Sequence, residues 1–201
     1  MHPSELSKTL DTTTSYIPYF CWPEAFTPEE CDRIVALANL GAFTDSTLAR
    51  DYGNVIDKTM RNSTCSTLPK DDTTAWLEQR VRDVIDVANN EIFQLDLHEL
   101  GNMNVLRYIE GGHMVEHVDC GLCEPNGLQR KLSLSIILSD PQDYDGGELG
   151  IIKEQPSMMH VLKPAKGSVV FFYSHVIHKV LPVTRGVRDA LVVFSVGPKL
   201  R

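Results

Sequence analysis

No stretch of this 201-residue chain approaches the roughly 18 to 20 consecutive apolar residues that a membrane-spanning helix needs. Helical insertion into a bilayer is therefore excluded. The first residues, MHPSELSKTLDTTTSY, lack a basic segment followed by an apolar one, so they do not form a secretory leader, and a cytoplasmic location is expected. Positive charge is scarce: 19 Lys and Arg against 27 Asp and Glu give a net charge of −8. A general binder of nucleic-acid backbones needs clustered cations, and RVRD at 80–83 and RGVRD at 185–189 are both interrupted. Nucleic acid is disfavoured as a partner. The five cysteines, Cys21, Cys31, Cys65, Cys120 and Cys123, are an odd number in a chain too long to depend on disulfides. Thiols in a reducing compartment are expected. Internal repeats and low-complexity tracts are also missing.

What is present is ordinary for a globular protein, with 42% hydrophobic and 23% charged residues, and the length suits one domain over residues 1–201. Residues 1–16 read as a polar arm, and SYIPYFCWP at 15–23, with two prolines, as an edge strand running into a turn. Thr27-Pro28-Glu29-Glu30 is a helix-start signal, after which Ile34, Leu37 and Leu40 recur at helical spacing until Gly41. Residues 41–70 have no clean period and predict a loop with one short strand, Arg61 lying in the middle. Asp71-Asp72-Thr73-Thr74 caps a second helix whose apolar face, Trp76, Leu77, Val81, Val84, Ile85 and Val87, extends to about Asn90.

From residue 92 the texture changes. FQLDLHEL, MNVLRYI, KLSLSIILS, ELGIIK, HVLKP, GSVVFFYS, HKVLPV and ALVVFSV are short β-rich segments separated by turn residues. They predict a sandwich or barrel of the jelly-roll type and exclude a doubly wound α/β sheet. The division is 1–91 for arm and supporting helices and 92–201 for the β core.

Within that core, His117-Val118-Asp119 stands out. Residues two apart on an extended chain point the same way, so His117 and Asp119 can face one ion, at the start of a strand on a loop loosened by Gly111-Gly112. His178 is the preferred third ligand over His175, because three residues apart on a strand the two face opposite ways and only His178 is followed by Val180, Pro182 and Arg188. Two imidazoles and one carboxylate leave ligand positions open, as in non-heme Fe(II) oxygenases. Arg188, inside the apolar VRDALVVF, is costly unless paired. It serves either an anionic co-substrate or a core-edge salt bridge near Asp189. Asp145-Gly146-Gly147-Glu148 reads as a hairpin turn, Cys120 and Cys123 as two loop thiols, His113 and His160 as structural or exposed, and Trp76 as core.

The ordered set His117-x-Asp119, 58 residues (120–177), His178 and Arg188 resembles the motif of the Fe(II)/2-oxoglutarate-dependent dioxygenases, in the prolyl 4-hydroxylase-like branch with its PKHD-type relatives. SDPQDYDGGELGI at 139–151 and HKVLPVTRGVRDALVVF at 178–194 are similar to stretches of that branch, and the likeness covers roughly residues 100–197. The resemblance implies a mainly β fold with a double-stranded β-helix (jelly-roll) core and two N-terminal helices. It implies Fe(II) on His117, Asp119 and His178, and 2-oxoglutarate on Arg188 through its C5 carboxylate with Tyr108 near its other end. O2 is the second co-substrate and ascorbate an accessory. Met114 stands where prolyl hydroxylases often have a second tyrosine. The implied activity is hydroxylation of an unactivated C–H bond, of a prolyl residue in a peptide, with release of succinate and CO2. A free amino acid or other small molecule is the alternative substrate; a zinc-binding or metal-free jelly-roll binding protein is the alternative class.

Overall fold

The computed structural model describes residues 18–50, 53–120, 127–152 and 158–199. The expected arm over 1–16 and Cys123 lie outside them. The first half carries β1 (Tyr19–Trp22), α1 (Pro28–Leu40), β2 (Thr44–Asp45), β3 (Leu48–Arg50), β4 (Gly53–Val55), β5 (Arg61–Asn62), β6 (Thr64–Thr67) and α2 (Ala75–Ala88). The second half carries β7 (Glu99–Leu100), β8 (Asn104–Tyr108), β9 (His113–His117), β10 (Gln129–Ile137), β11 (Tyr144–Gly146), β12 (Leu149–Ile152), β13 (Met159–Leu162), β14 (Val169–Tyr173), β15 (His178–Val180), β16 (Val183–Gly186) and β17 (Arg188–Gly197). The fold is thus mainly β with two α-helices, and its sheets are antiparallel. Among the described residues no helix is long and apolar enough to cross a membrane.

Both helices start where the sequence expects. At α1 the Thr27 hydroxyl accepts from the Glu30 backbone N–H and the Glu30 carboxylate accepts from the Thr27 N–H, a reciprocal capping box. Cys31, Ile34 and Ala38 are the residues it buries, whereas Leu40, expected in the stripe, is 86% exposed. The last turn is held to the large sheet through Ala38, whose carbonyl accepts from the Ser66 hydroxyl at 3.0 Å. At α2 Thr74 stands at the N-cap but turns its hydroxyl back to the carbonyls of Pro69 and Asp71, while the Asp71 carboxylate takes the Thr73 N–H. The helix then buries Leu77, Val81, Val84, Ile85 and Ala88 and ends in a π-helical turn, Asn89–Phe93. The Asn89 amide there bonds both the N–H and the carbonyl of Leu95. That local bonding keeps most of FQLDLHEL out of the sheet, and only Glu99–Leu100 pairs.

An eight-stranded sheet runs β1-β14-β10-β17-β8-β6-β2, with β7 also on β17, and a five-stranded sheet runs β13-β12-β15-β9-β5. Residues 41–70, expected as loop with one strand, supply β2 to β6. These strands are two to four residues long and largely polar, so they carry no readable period. Edge strand β1 is where SYIPYFCWP predicts it. Asp145–Glu148 is not a hairpin: β11 pairs with β16 and β12 with β13 and β15, so the chain changes sheets there.

The large sheet is covered on both faces. In β10, Leu132, Leu134 and Ile136 join Ile34, Leu77, Val81 and Phe171 in the core under the helices, each such fully buried side chain contributing about 1.5–3 kcal/mol. Trp76 lies at the border of this core, with the Arg33 guanidinium 4.1 Å above its ring. The alternate residues Ser133 and Ser135 face the small sheet and are also buried, at 0% and 6% exposure. A Leu/Ser alternation ordinarily marks a strand with one wet face; here the serine face lines the space in which the candidate site lies.

Candidate metal centre

One cross-strand row of the small sheet carries the site. His160 pairs with Ile151, Ile151 with His178, and His178 with His117. On the facing large sheet Tyr19 pairs with Phe172, Phe172 with Ser133, and Ser133 with Phe194. His117 is the last residue of β9, not the start of a strand. Its orientation comes from a bulge: between the pairs His178–His117 and Val180–Met114, β15 spends two residues and β9 three. The extra residue lets both Met114 and His117 face inward despite their odd spacing, a use of bulges common beside active sites. Asp119, beyond the strand end, is pinned by its N–H to the Ser174 carbonyl at 2.8 Å.

His117, Asp119 and His178 come together so that one ligand atom from each lies within 4.8 Å of the others. Nε2 of His117 is 3.6 Å from Asp119 Oδ1, and Nε2 of His178 is 3.5 Å from Oδ2. Nδ1 of His117 faces the Val115 carbonyl at 2.9 Å and Nδ1 of His178 the Val176 carbonyl at 3.0 Å. A carbonyl only accepts, so each Nδ1 carries the proton and each Nε2 keeps its lone pair for the centre. Ser133 donates to Asp119 Oδ2 at 2.8 Å and contacts the Ser174 hydroxyl at 2.9 Å. The Phe172 ring lies 4.5 Å from that of His178 and walls it off from solvent.

Burial holds His178 below the ordinary histidine value, although Asp119 pulls the other way. Burial alone would raise Asp119; the His178 and His117 imidazoles and the Ser133 hydroxyl more than offset it and keep the carboxyl below its usual range. Neutral imidazole and ionised carboxylate are the states that bind a divalent transition metal, so the donor set fits one.

Arg188 is buried at the start of β17, facing the same inter-sheet space, and its Nε has no hydrogen-bond partner. The salt bridge near Asp189 does form, but with Arg107, bidentate at 2.9 and 2.7 Å, and Arg188 takes no part in it. Tyr108 lies directly across from Arg188, its ring centroid 5.4 Å from the guanidinium carbon. Tyr144, which sequence reasoning passed over, bonds Arg188 through its hydroxyl, which burial pushes up in pKa against the pull of the guanidinium. Gly147 was missed in this role too: a Cβ there, at φ +67°, would stand 2.9 Å from Arg188 Cδ. The turn-forming glycine is thus what lets the arginine lie flat.

His175 is exposed and stacks on Tyr173 with centroids 5.4 Å apart, away from the three ligands. His113 spans the carbonyls of Gly111 and Thr59, and His160 meets the Tyr19 hydroxyl at 2.9 Å. Cys21, Cys31, Cys65 and Cys120 are free thiols.

Comparison with known proteins agrees with this geometry. The family model of the 2OG-Fe(II) oxygenase superfamily matches residues 103–195, a span that contains His117, Asp119, His178 and Arg188. Residues 103–195 carry the 2OG-Fe(II) oxygenase superfamily domain. The curated relatives the chain is similar to are PKHD-type hydroxylases. A PKHD-type hydroxylase of Pseudomonas putida (strain W619) is 44% identical over 87 residues, 41% of this chain and 38% of that protein. The chain thus spans well under half the length of the curated relatives it matches first. A prolyl-4-hydroxylase crystal structure from Pseudomonas putida superposes with a TM-score of 0.69 at 18% identity, covering 96% of this chain and 98% of that one. A prolyl hydroxylase from Trichoplax adhaerens, in complex with a hypoxia inducible factor oxygen degradation domain peptide fragment, gives 0.73 at 18% identity, covering 96% and 88%. At such identities the two structures share the fold.

The Ser133 hydroxyl orients one oxygen of Asp119. Ser133→Ala is expected to lower Fe(II) or Co(II) affinity about 10- to 100-fold, the usual effect of losing a partner that orients a ligand, as measured by competition against a chromogenic chelator.

Proposed function

We propose that this chain is an Fe(II)- and 2-oxoglutarate-dependent dioxygenase that hydroxylates an unactivated C–H bond, with a prolyl residue in a peptide as the favoured substrate and succinate and CO2 as the by-products. The observation that carries the reading is the unpartnered Nε of buried Arg188, facing the same space as the His117–Asp119–His178 cluster. A hydrolytic or structural zinc site has no need of a buried arginine beside it. A dicarboxylate that chelates the metal at one end does.

Bound iron with 2-oxoglutarate and O2 supplies the oxidising chemistry. His117, Asp119 and His178 would hold the metal, and as only three ligands they would leave positions for the co-substrates. Arg188 receives the distal carboxylate, its planar fork suited to two parallel hydrogen bonds, with Tyr144 fixing the guanidinium and Tyr108 forming the wall next to it. Leu106, Val180, Val183 and Val192 pack around that path and keep it dry, which strengthens each polar contact in it. Ascorbate is the proposed accessory reductant. On the same reading the two large sheets are the walls of a double-stranded β-helix, or jelly roll. Residues 1–201 form one catalytic domain in which 92–201 bear the site and 1–91 support it, with β5 and β6 extending the two sheets.

The peptide held by the Trichoplax protein supports a peptide substrate; a free amino acid or other small molecule is the alternative. The test is succinate release from 2-oxoglutarate in air, with Fe(II), Zn(II) or no metal added. Release that depends on Fe(II) is expected, and metal-independent or zinc-supported release would contradict the reading.

A further inference from the structure

One edge of the space between the two sheets is lined by polar side chains that the metal cluster and Arg188 leave unused. The chain leaves the small sheet after β5 and joins the large sheet at β6, so residues 61–64 cross from one to the other. Arg61 pairs with Met114, and paired residues of antiparallel strands share a face. Met114 packs against the cluster of Leu106, Tyr108, Val180 and Val183, drawn from both sides of the inter-sheet space, so Arg61 is turned to the inter-sheet side. Its Nε donates to Ser63 Oγ and a terminal nitrogen to the Thr47 carbonyl, both at 3.2 Å. These neutral partners fix the guanidinium in place, and it forms no salt bridge among the described residues.

On the large sheet Cys65 pairs with Leu106 and Thr67 with Asn104, which puts all four side chains on the inter-sheet face. Oδ1 of Asn104 accepts from the Thr67 hydroxyl at 2.7 Å and from the Cys65 thiol at 3.8 Å. The Oδ1 side of the amide is thus turned toward Thr67 and Cys65. Its Nδ2 group faces away from both, and among the described residues it donates to nothing. Asn104 pairs with Val192, two residues before Phe194, whose partner Ser133 holds Asp119. Two strand spacings of about 4.8 Å each separate Asn104 from the Ser133 strand. With the two-residue offset along the strands, that is a separation spanned by about three or four extended residues of a substrate lying at the metal.

We propose that Arg61 and Asn104 form a donor-only edge that recognises an acceptor oxygen of the substrate, a carbonyl or carboxylate flanking the carbon to be hydroxylated. The proposal rests on the dioxygenase reading of the adjacent site. A guanidinium offers five N–H donors and no acceptor, and the amide oxygen of Asn104 is already taken, so neither residue can receive an N–H or an ammonium group. The same chemistry is met by a main-chain carbonyl of a peptide and by the carboxylate of a free amino acid.

The experiment measures equilibrium binding of two probes, the capped tripeptide acetyl-Gly-Pro-Gly-amide and free L-proline, to protein loaded anaerobically with Fe(II) and 2-oxoglutarate. Wild type is compared with Arg61→Met and Asn104→Asp. The aspartate keeps the oxygen to which Thr67 and Cys65 donate and replaces the N–H donors with a charged acceptor oxygen, so a purely structural Asn104 would keep both of its hydrogen bonds. Binding of one probe that falls at least tenfold in both variants, with 2-oxoglutarate affinity unchanged, is expected. The tripeptide as binder assigns the edge to a peptide carbonyl, and L-proline to a carboxylate. Unchanged probe affinity in either variant overturns the proposal, as does an equal loss of 2-oxoglutarate affinity, or failure of both probes to bind wild-type protein that holds 2-oxoglutarate. Wild-type protein that binds no 2-oxoglutarate overturns the dioxygenase reading, and the edge with it.

Discussion

Asp119→Ala is expected to abolish iron-dependent succinate release while leaving the fold intact. Asp119 is the one carboxylate of the cluster and sits between the two imidazoles, with oxygens 3.6 and 3.5 Å from their Nε2 atoms. Removing a side chain that only orients a ligand costs about 10- to 100-fold in metal affinity, so removing the ligand itself should cost more than 100-fold. The backbone need not follow, because the strand end is held by the Asp119 N–H on the Ser174 carbonyl, which alanine retains. Circular dichroism and chelator competition on the same preparation separate the two effects. Full activity in a folded, metal-binding Asp119→Ala protein would sink the assignment of the three ligands.

The second large effect is expected at Arg188, and it has opposite signs in two measurements. Truncating one partner of a buried, hydrogen-bonded charge pair costs about 2–5 kcal/mol, which at about 1.4 kcal/mol per decade is a rise in the 2-oxoglutarate concentration required of roughly 30-fold to several thousand-fold. Without co-substrate, however, Arg188 is a buried cation whose Nε is unpartnered, and such a group is a burden on the fold. Arg188→Leu should therefore melt at the same temperature as wild type or higher when both lack 2-oxoglutarate, and fail to gain the stabilisation that 2-oxoglutarate confers on wild type. Thermal melts with and without the co-substrate read both signs at once. A variant that is strongly destabilised without co-substrate yet saturates normally would mean that Arg188 is structural.

Much of this was legible in the residues, for identifiable reasons. The start of α1 is written in Thr27-Pro28-Glu29-Glu30 because capping is local chemistry, and the structure forms both hydrogen bonds that the pattern implies. His178 rather than His175 could be chosen because an arginine in an apolar strand needs a partner, and the structure brings His178 to His117 and Asp119 and leaves His175 outside. What stayed hidden depends on pairing between distant segments. The bulge in β9 exists only in register with β15. Ser133 and Ser135 look like the wet side of β10 until a second sheet covers them. Gly146-Gly147 carries a turn signal that serves a hairpin and a change of sheet equally well, and only the pairing of β11 and β12 with different partners tells them apart. Tyr144 reaches Arg188 across 44 residues of sequence that carry no sign of the contact.

The central claim is that one space holds a metal on His117, Asp119 and His178 and a dicarboxylate on Arg188. An anaerobic absorption titration tests it most directly, with Fe(II) and 2-oxoglutarate added singly and together to the wild-type chain. The account predicts a charge-transfer band that appears only when both are present, is missing in Asp119→Ala, and needs far more 2-oxoglutarate in Arg188→Leu. No band with wild-type protein at saturating Fe(II) and 2-oxoglutarate, together with tight zinc binding at the same cluster, would contradict it.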